Sequence, residues 1–251
     1  MSTQTAATAA HSGSRRPVAA KPSMVPREHG AWGLLLQPFA AAAILAREWD
    51  WALLPALVAV FLGFLIREPL LTLARQRWIW RTQKPESRIA VRALAWEIPV
   101  LGLSWGVLAV ALPLLPLMML TAIAGAFTVL SVWMTVRNRQ RSIALQAISS
   151  LGLATTAFWA ALAIEGGIAV WVWPLWAVLG LHAVLAIVAV HARLEARIAS
   201  RSGGGSSGSL RALGGGLVAT WSLAALLGVG WQSPLALPVA LSAAFVSFEA
   251  I

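Results

Sequence analysis

The 251-residue chain has no cysteine and no tyrosine, and only 11% of its residues are charged. The lack of cysteine excludes disulfides, thiolate catalysis and Cys-ligated metals. It leaves open a cofactor held by histidine or carboxylates. Acid is scarce too: nine Asp+Glu, with Asp50 as the single aspartate. A soluble domain carries roughly 25% charged residues. Here the deficit runs along the chain from about residue 30 onward, so no soluble domain is hidden in it.

What is present is apolar and basic. Hydrophobic residues make up 59% of the chain, with 14 Trp and 7 Phe, and the net charge is +10. Tryptophan favours membrane interfaces, where its ring is half wet. A span across a ~30 Å hydrocarbon core needs about 20 apolar residues. Eight runs approach that length, at 29–46, 51–66, 93–111, 117–136, 143–164, 168–190, 212–231 and 235–251. The expected fold is therefore an all-α, polytopic transmembrane helical bundle of about eight spans.

The linkers alternate in charge. Those at 47–50, 112–116, 165–167 and 232–234 hold one basic residue, Arg47, beside Glu48, Asp50 and Glu165. The others carry Arg67, Arg75, Arg77, Arg81, Lys84, Arg88 and Arg92, then Arg137, Arg139 and Arg141, then Arg193, Arg197, Arg201 and Arg211. With Arg15, Arg16, Lys21 and Arg27, 18 of 19 Lys+Arg fall on one side of an eight-span arrangement. The positive-inside rule makes that side the cytoplasm and puts both ends there, in a bacterial inner membrane. Charge in short loops between apolar runs is topology rather than a nucleic-acid face, so the bilayer is the expected partner.

Residues 1–25 are Ala/Ser/Thr-rich and lack an apolar core, so they are expected to form a cytoplasmic tail rather than a signal peptide. Residues 26–251 would form the membrane domain, interrupted by a flexible Gly/Ser linker at 200–209. The segment 69–81 (PLLTLARQRWIWR) fits a short amphipathic helix on the cytoplasmic interface; an irregular loop with snorkelling Trp residues is the alternative. The chain stops at Ile251 without a basic or polar terminator, which suggests a last helix cut short or a further span.

The densest polar group opens the first run: Arg27, Glu28, His29 and Trp32, with Gln37 deeper in the span. A structural account exists: Pro26 starts the helix, Glu28 suits its positive end and Trp32 anchors the interface. Gln37, however, needs a partner in hydrocarbon. Glu97 is a carboxylate inside the third run; it either snorkels, pairs with Arg92 or Arg88, or marks a site. His182, mid-run in the sixth, reads as a helix–helix hydrogen bond or a proton relay. Arg67, Glu68 and Arg75 close the second span, and with Arg137 they either ring an anion-attracting cavity or simply obey topology. Gln146, with Asn138 and Ser142, sits at the same level. A cavity opening to the cytoplasm, bordered by the first three spans, is the expected place for a site; a lipid or small anion would be its ligand.

The run 26–39, PREHGAWGLLLQPF, resembles the opening motif of YwiC-like membrane proteins, with Pro26, His29, Gly30, Ala31, Trp32, Pro38 and Phe39 matching. That resemblance implies a multi-pass membrane bundle and strengthens a functional reading of His29 and Trp32; it brings no substrate. The basic loops after spans two, four and six also look similar to UbiA-like prenyltransferases. Those membrane enzymes bind Mg²⁺–diphosphate through Asp-rich motifs. The lone Asp50 lies on the opposite side, and Glu68 and Glu195 would substitute poorly. No cofactor is expected, and Mg²⁺ would enter only with such chemistry. The competing classes are thus a lipid- or isoprenoid-modifying enzyme, a small-molecule or ion transporter, and an assembly factor.

Overall fold

The computed structural model describes residues 29–82, 85–137 and 142–201, and among these it is helical throughout, without a strand. The elements are α1 (His29–Ala46), α2 (Leu53–Leu65), α3 (Arg67–Arg75), α4 (Glu86–Ala111), α5 (Leu114–Val136), α6 (Ile143–Ala154), α7 (Thr156–Glu165) and α8 (Val172–Arg201). A π-helical turn, Gln76–Trp80, extends α3. Four stretches are long and apolar enough to cross a membrane: Leu53–Trp80, Glu86–Ala111, Leu114–Val136 and Ile143–Glu165. Shorter apolar helices cover Ala31–Ala46 and Val172–Val188. The expected spans at 212–231 and 235–251, the tail at 1–25, and Arg27 and Glu28 lie outside the described residues, as does most of the 200–209 linker.

Two expectations change. The segment 69–81 is not a separate surface helix. It continues α2 into one helical stretch, Leu53–Trp80, and packs on α4 and α5. Proline explains why α2 and α3 are distinct within it. Pro69 has no N–H for the carbonyl of Leu65 and its ring crowds that oxygen, so the ladder breaks at Ile66. Ladder bonds resume at once, with Leu70 N–H donating to the Ile66 carbonyl at 3.2 Å. The sixth run also extends further, because α8 continues as helix to Arg201.

The fifth run crosses as one stretch but is broken at Thr155, where no proline is present. There Thr155 donates both its N–H (3.2 Å) and its hydroxyl (2.6 Å) to the Gly152 carbonyl, and Phe158 N–H closes a tight turn onto Thr155. Beyond it α7 is buried on every side from Thr156 to Ala163, which makes it the axis of the described bundle. Its small residues Ala157, Ala160, Ala161 and Ala163 let α1 and α2 approach closely. The α1–α7 crossing carries one cross-helix hydrogen bond. Pro38 cannot donate to Leu34, and next to that gap the Thr156 hydroxyl donates to the Leu35 carbonyl at 2.8 Å.

Turns close by local chemistry. Asp50 Oδ1 accepts from Ala52 N–H at 2.7 Å, starting α2. Gly166, at φ 65°, ends α7 in the left-handed conformation glycine adopts without a Cβ penalty, donating its N–H to Leu162.

Two glycines separate tight from tolerant packing. A Cβ at Gly152 would lie 2.7 Å from Cδ1 and 2.8 Å from Cγ of Phe127, close to the root of a rigid ring. A Cβ at Gly180 would meet only the Cδ2 tip of Leu151, which can rotate away. Gly152→Ala is expected to cost about 1–3 kcal/mol, and Gly180→Ala much less, read as thermal midpoints of the two variants in detergent.

Candidate functional site

Polar side chains that the described bundle buries are few: Gln76, Glu97, Ser104, Ser131, Thr135, Ser150 and Thr156. Most of these lie on α4 and its neighbours. On α4 the buried residues are Ala90, Glu97, Ser104 and Leu108, a single stripe at spacings of seven, seven and four. On the facing stretch, Leu53, Ala56, Val60 and Phe64 enter the core shared with α1 and α7. Leu62, Leu65, Pro69 and Gln76 form a second buried stripe that stays outside that core. α4 packs along both α2 and α3, and its Leu108 lies in the same core as Leu53, Ala56, Val60 and Phe64.

Glu97 faces inward from α4, between the exposed Trp96 and Ile98. It sits about 16 Å along α4 from Glu86.

Glu97 is only 3% exposed, and its Oε2 is buried with no hydrogen-bond partner. Arg88 and Arg92, the expected partners, point outward on the exposed side of α4. An unsatisfied buried acceptor costs about 1–3 kcal/mol, more when charged.

The α4–α5 register is fixed by a hydrogen bond from Trp105 Nε1 to Thr121 Oγ1 at 2.9 Å. α5 also contacts α3, and the polar residues it buries are Ser131 and Thr135. The Thr135 hydroxyl donates to the Ser131 carbonyl at 2.6 Å, leaving its lone pairs to accept. Arg67 buries its Nε and Gln76 its Nε2, and both residues have partners within the structure. Arg67 faces Glu68 at 3.9 Å, a loose ion pair. Arg67, Glu68, Arg75 and Gln76 of α3 and its π turn, Ser131 and Thr135 of α5 and Glu97 of α4 are thus buried or half-buried polar residues on three helices that contact one another.

Other candidates are placed elsewhere. Trp32 packs its ring on Phe61 and Phe64, at centroid distances of 5.3 and 5.1 Å, and so binds α1 to α2. His29 begins α1, and Gln37 is exposed on it. Arg137 stacks over Trp133 at 4.2 Å on the exposed end of α5. Gln146 is half-buried in the first turn of α6, whose start Ser142 caps through Leu145 N–H. His182 is half-buried on α8 and has a partner. Ser131, Thr135 and Gln76 were not foreseen as site residues. The four-residue spacing of Ser131 and Thr135, which puts both on one helix face, was the available signal.

A helical bundle with four membrane-length apolar helices defines a membrane protein. The chain matches the YwiC-like protein family over residues 25–161, more than half its length, and belongs to that family. No curated protein matches it, and no solved structure does.

Replacing Glu97 with leucine removes the unsatisfied acceptor while filling the same face. Glu97→Leu is expected to raise the thermal midpoint in low-salt detergent buffer by a few degrees, equivalent to about 1–2 kcal/mol. A fall would show that the carboxyl is structurally bonded.

Proposed function

We propose that this chain is a multi-pass protein of the bacterial cytoplasmic membrane that binds a small anionic solute at a cytoplasm-facing polar site and carries it across. Eight spans with both ends in the cytoplasm follow from the charge alternation. On that topology the Glu86 end of α4 faces the cytoplasm.

One observation supports the reading: donors lie on helices that pack together. Arg67, Arg75 and Gln76 lie along α3 and the π turn, and α3 contacts α5, which carries the buried Ser131 and Thr135 hydroxyls. Guanidinium, amide and hydroxyl donors together suit phosphate, sulfate or carboxylate, whether free or as a lipid headgroup. The π turn that carries Gln76 is a backbone form often found at functional positions.

The carboxylates favour transport over prenyl-diphosphate chemistry. Among the described residues Asp50 is used as a cap at the far end of α2, Glu165 accepts from Trp171 Nε1, and Glu68 faces Arg67. Hard cations that hold diphosphate want several oxygens together, and these are apart.

Two measurements test this. Proteoliposomes are expected to take up at least one of labelled phosphate, sulfate or a small dicarboxylate, with Arg75→Ala reducing uptake tenfold or more. Failure of every anion both to move and to raise the thermal midpoint overturns the reading. Because the chain has no cysteine, single cysteines at Glu48, Glu86, Pro116 and Gly166 report topology cleanly. Only the Glu86 position should react with an impermeant maleimide from the cytoplasmic side; labelling of Glu48 and Glu86 from the same side would break the span count.

A further inference from the structure

We infer that the exposed face of α4 is a binding site for one anionic phospholipid, its phosphate held between Arg88 and Arg92 and an acyl chain laid along Trp96 and Leu103. The inference goes beyond the solute reading and uses none of its residues.

The placement follows from one helix alone. Arg88, Arg92, Trp96 and Leu103 succeed one another at spacings of four, four and seven, which at about 3.6 residues per turn keeps them within a sector of about 80°. All four are exposed, Trp96 at 52% and Leu103 at 70%. The buried stripe of Ala90, Glu97, Ser104 and Leu108 lies on the opposite side. Charge on the exposed face has one sign. Of the two acids on α4, Glu97 is buried, and Glu86 lies four residues before Ala90, on the side of the buried stripe. Neither arginine makes an ion pair among the described residues. Two guanidiniums one turn apart repel each other, and an anion bonded to both reverses that.

The rest of the face selects the kind of anion. Trp96 stands about 6 Å beyond Arg92 along the axis, where an amphipathic indole suits the headgroup boundary. Leu103 stands about 16 Å beyond Arg92, near the ~15 Å that one leaflet's hydrocarbon spans. Pro99, exposed in the same sector, continues the apolar surface between them. The order of basic, amphipathic and apolar groups matches a phosphate with a tail, whereas a free anion would use the arginines alone. A zwitterionic headgroup would bring its ammonium against the arginines, so a phosphatidylglycerol-like lipid fits better. A second copy of the chain fits worse. Copies in one bilayer share an orientation, so a twofold pair through this face sets Arg88 and Arg92 of each against those of the other.

The test uses the full chain in detergent micelles and is read independently of transport. Phosphatidylglycerol and phosphatidylcholine with the same acyl chains are titrated in turn, and bound lipid is counted by native mass spectrometry. The expected result is one phosphatidylglycerol bound saturably, at a half-saturating concentration at least tenfold below that of phosphatidylcholine. Arg88→Gln combined with Arg92→Gln should raise that concentration tenfold or more, and Leu103→Asn should raise it severalfold through the tail. Arg47→Gln, which removes the same charge from the loop before α2, should leave it unchanged. Each substituted side chain is exposed, so the fold is kept, and Arg92→Gln alone gives a second reading. Equal affinity for the two lipids, uptake of several lipids without saturation, or binding unchanged in the double variant would each overturn the assignment. So would competition by glycerol phosphate at concentrations comparable to the lipid, or a disulfide between two Leu103→Cys copies, the chain having no other cysteine. Loss of anion uptake with intact lipid binding would instead count against the solute reading alone.

Discussion

Every backbone N–H and C=O in hydrocarbon must find its partner inside the protein, and this fold is shaped by where that demand is strained. Pro38, Pro69 and Pro99 each remove a ladder donor from a helix interior. At Pro38 the neighbouring Leu35 carbonyl takes a hydroxyl from Thr156, and the helices bonded there cross at the most buried point of the bundle. At Thr155 the chain solves the problem within itself, with hydroxyl and amide both directed at Gly152. On α4 the demand is left unmet at a side chain: the buried Oε2 of Glu97 has no hydrogen-bond partner.

Residue size sets how closely the helices pack. Four alanines of α7 bring α1 and α2 close, and the Thr156 hydroxyl buried at that crossing is satisfied by the Leu35 carbonyl. Trp32 fills the α1–α2 seam with Phe61 and Phe64. The α2–α3 stretch also packs on α4, and the two carry the buried Gln76, Glu97 and Ser104. Trp32, seated on Phe61 and Phe64, and the exposed Gln37 take no part among these, though both neighbour the polar opening in sequence.

The helices themselves were legible in the sequence because length and apolar content are local properties. Runs at 93–111, 117–136 and 143–164 appear within a few residues of their expected ends, apart from an earlier start for α4. Pro69 was in plain view as the cause of the break at Ile66, yet the arginines after it suggested a surface helix. What they mark is the polar end of a continuous one, packed on α4 and α5. The turn at Thr155 had no such signal, since threonine in a helix becomes a breaker only through the partners its hydroxyl finds. The Thr156–Leu35 bond joins residues 121 positions apart, a pairing set by packing rather than by any local pattern. Glu97 was conspicuous as a charge in an apolar run; that it is buried while Arg88 and Arg92 stay exposed depends on which face of α4 the bundle covers.

The persistence of that carboxyl is an argument in its own right. An apolar residue at position 97 would complete a stripe that already contains Ala90 and Leu108, and an isoleucine follows at once at 98. Nothing in the packing of α4 calls for an acid there, and insertion into a bilayer disfavours one by about 2.5–3.5 kcal/mol at the centre of a span. Nor does the chain use the acid to hold helices together, for its buried oxygen bonds to nothing in the fold. A group that strains the folded state and contributes no contact to it is accounted for by what it binds. Sites of this kind are where proteins give up stability for activity, and here the sacrifice falls at a buried carboxyl on α4.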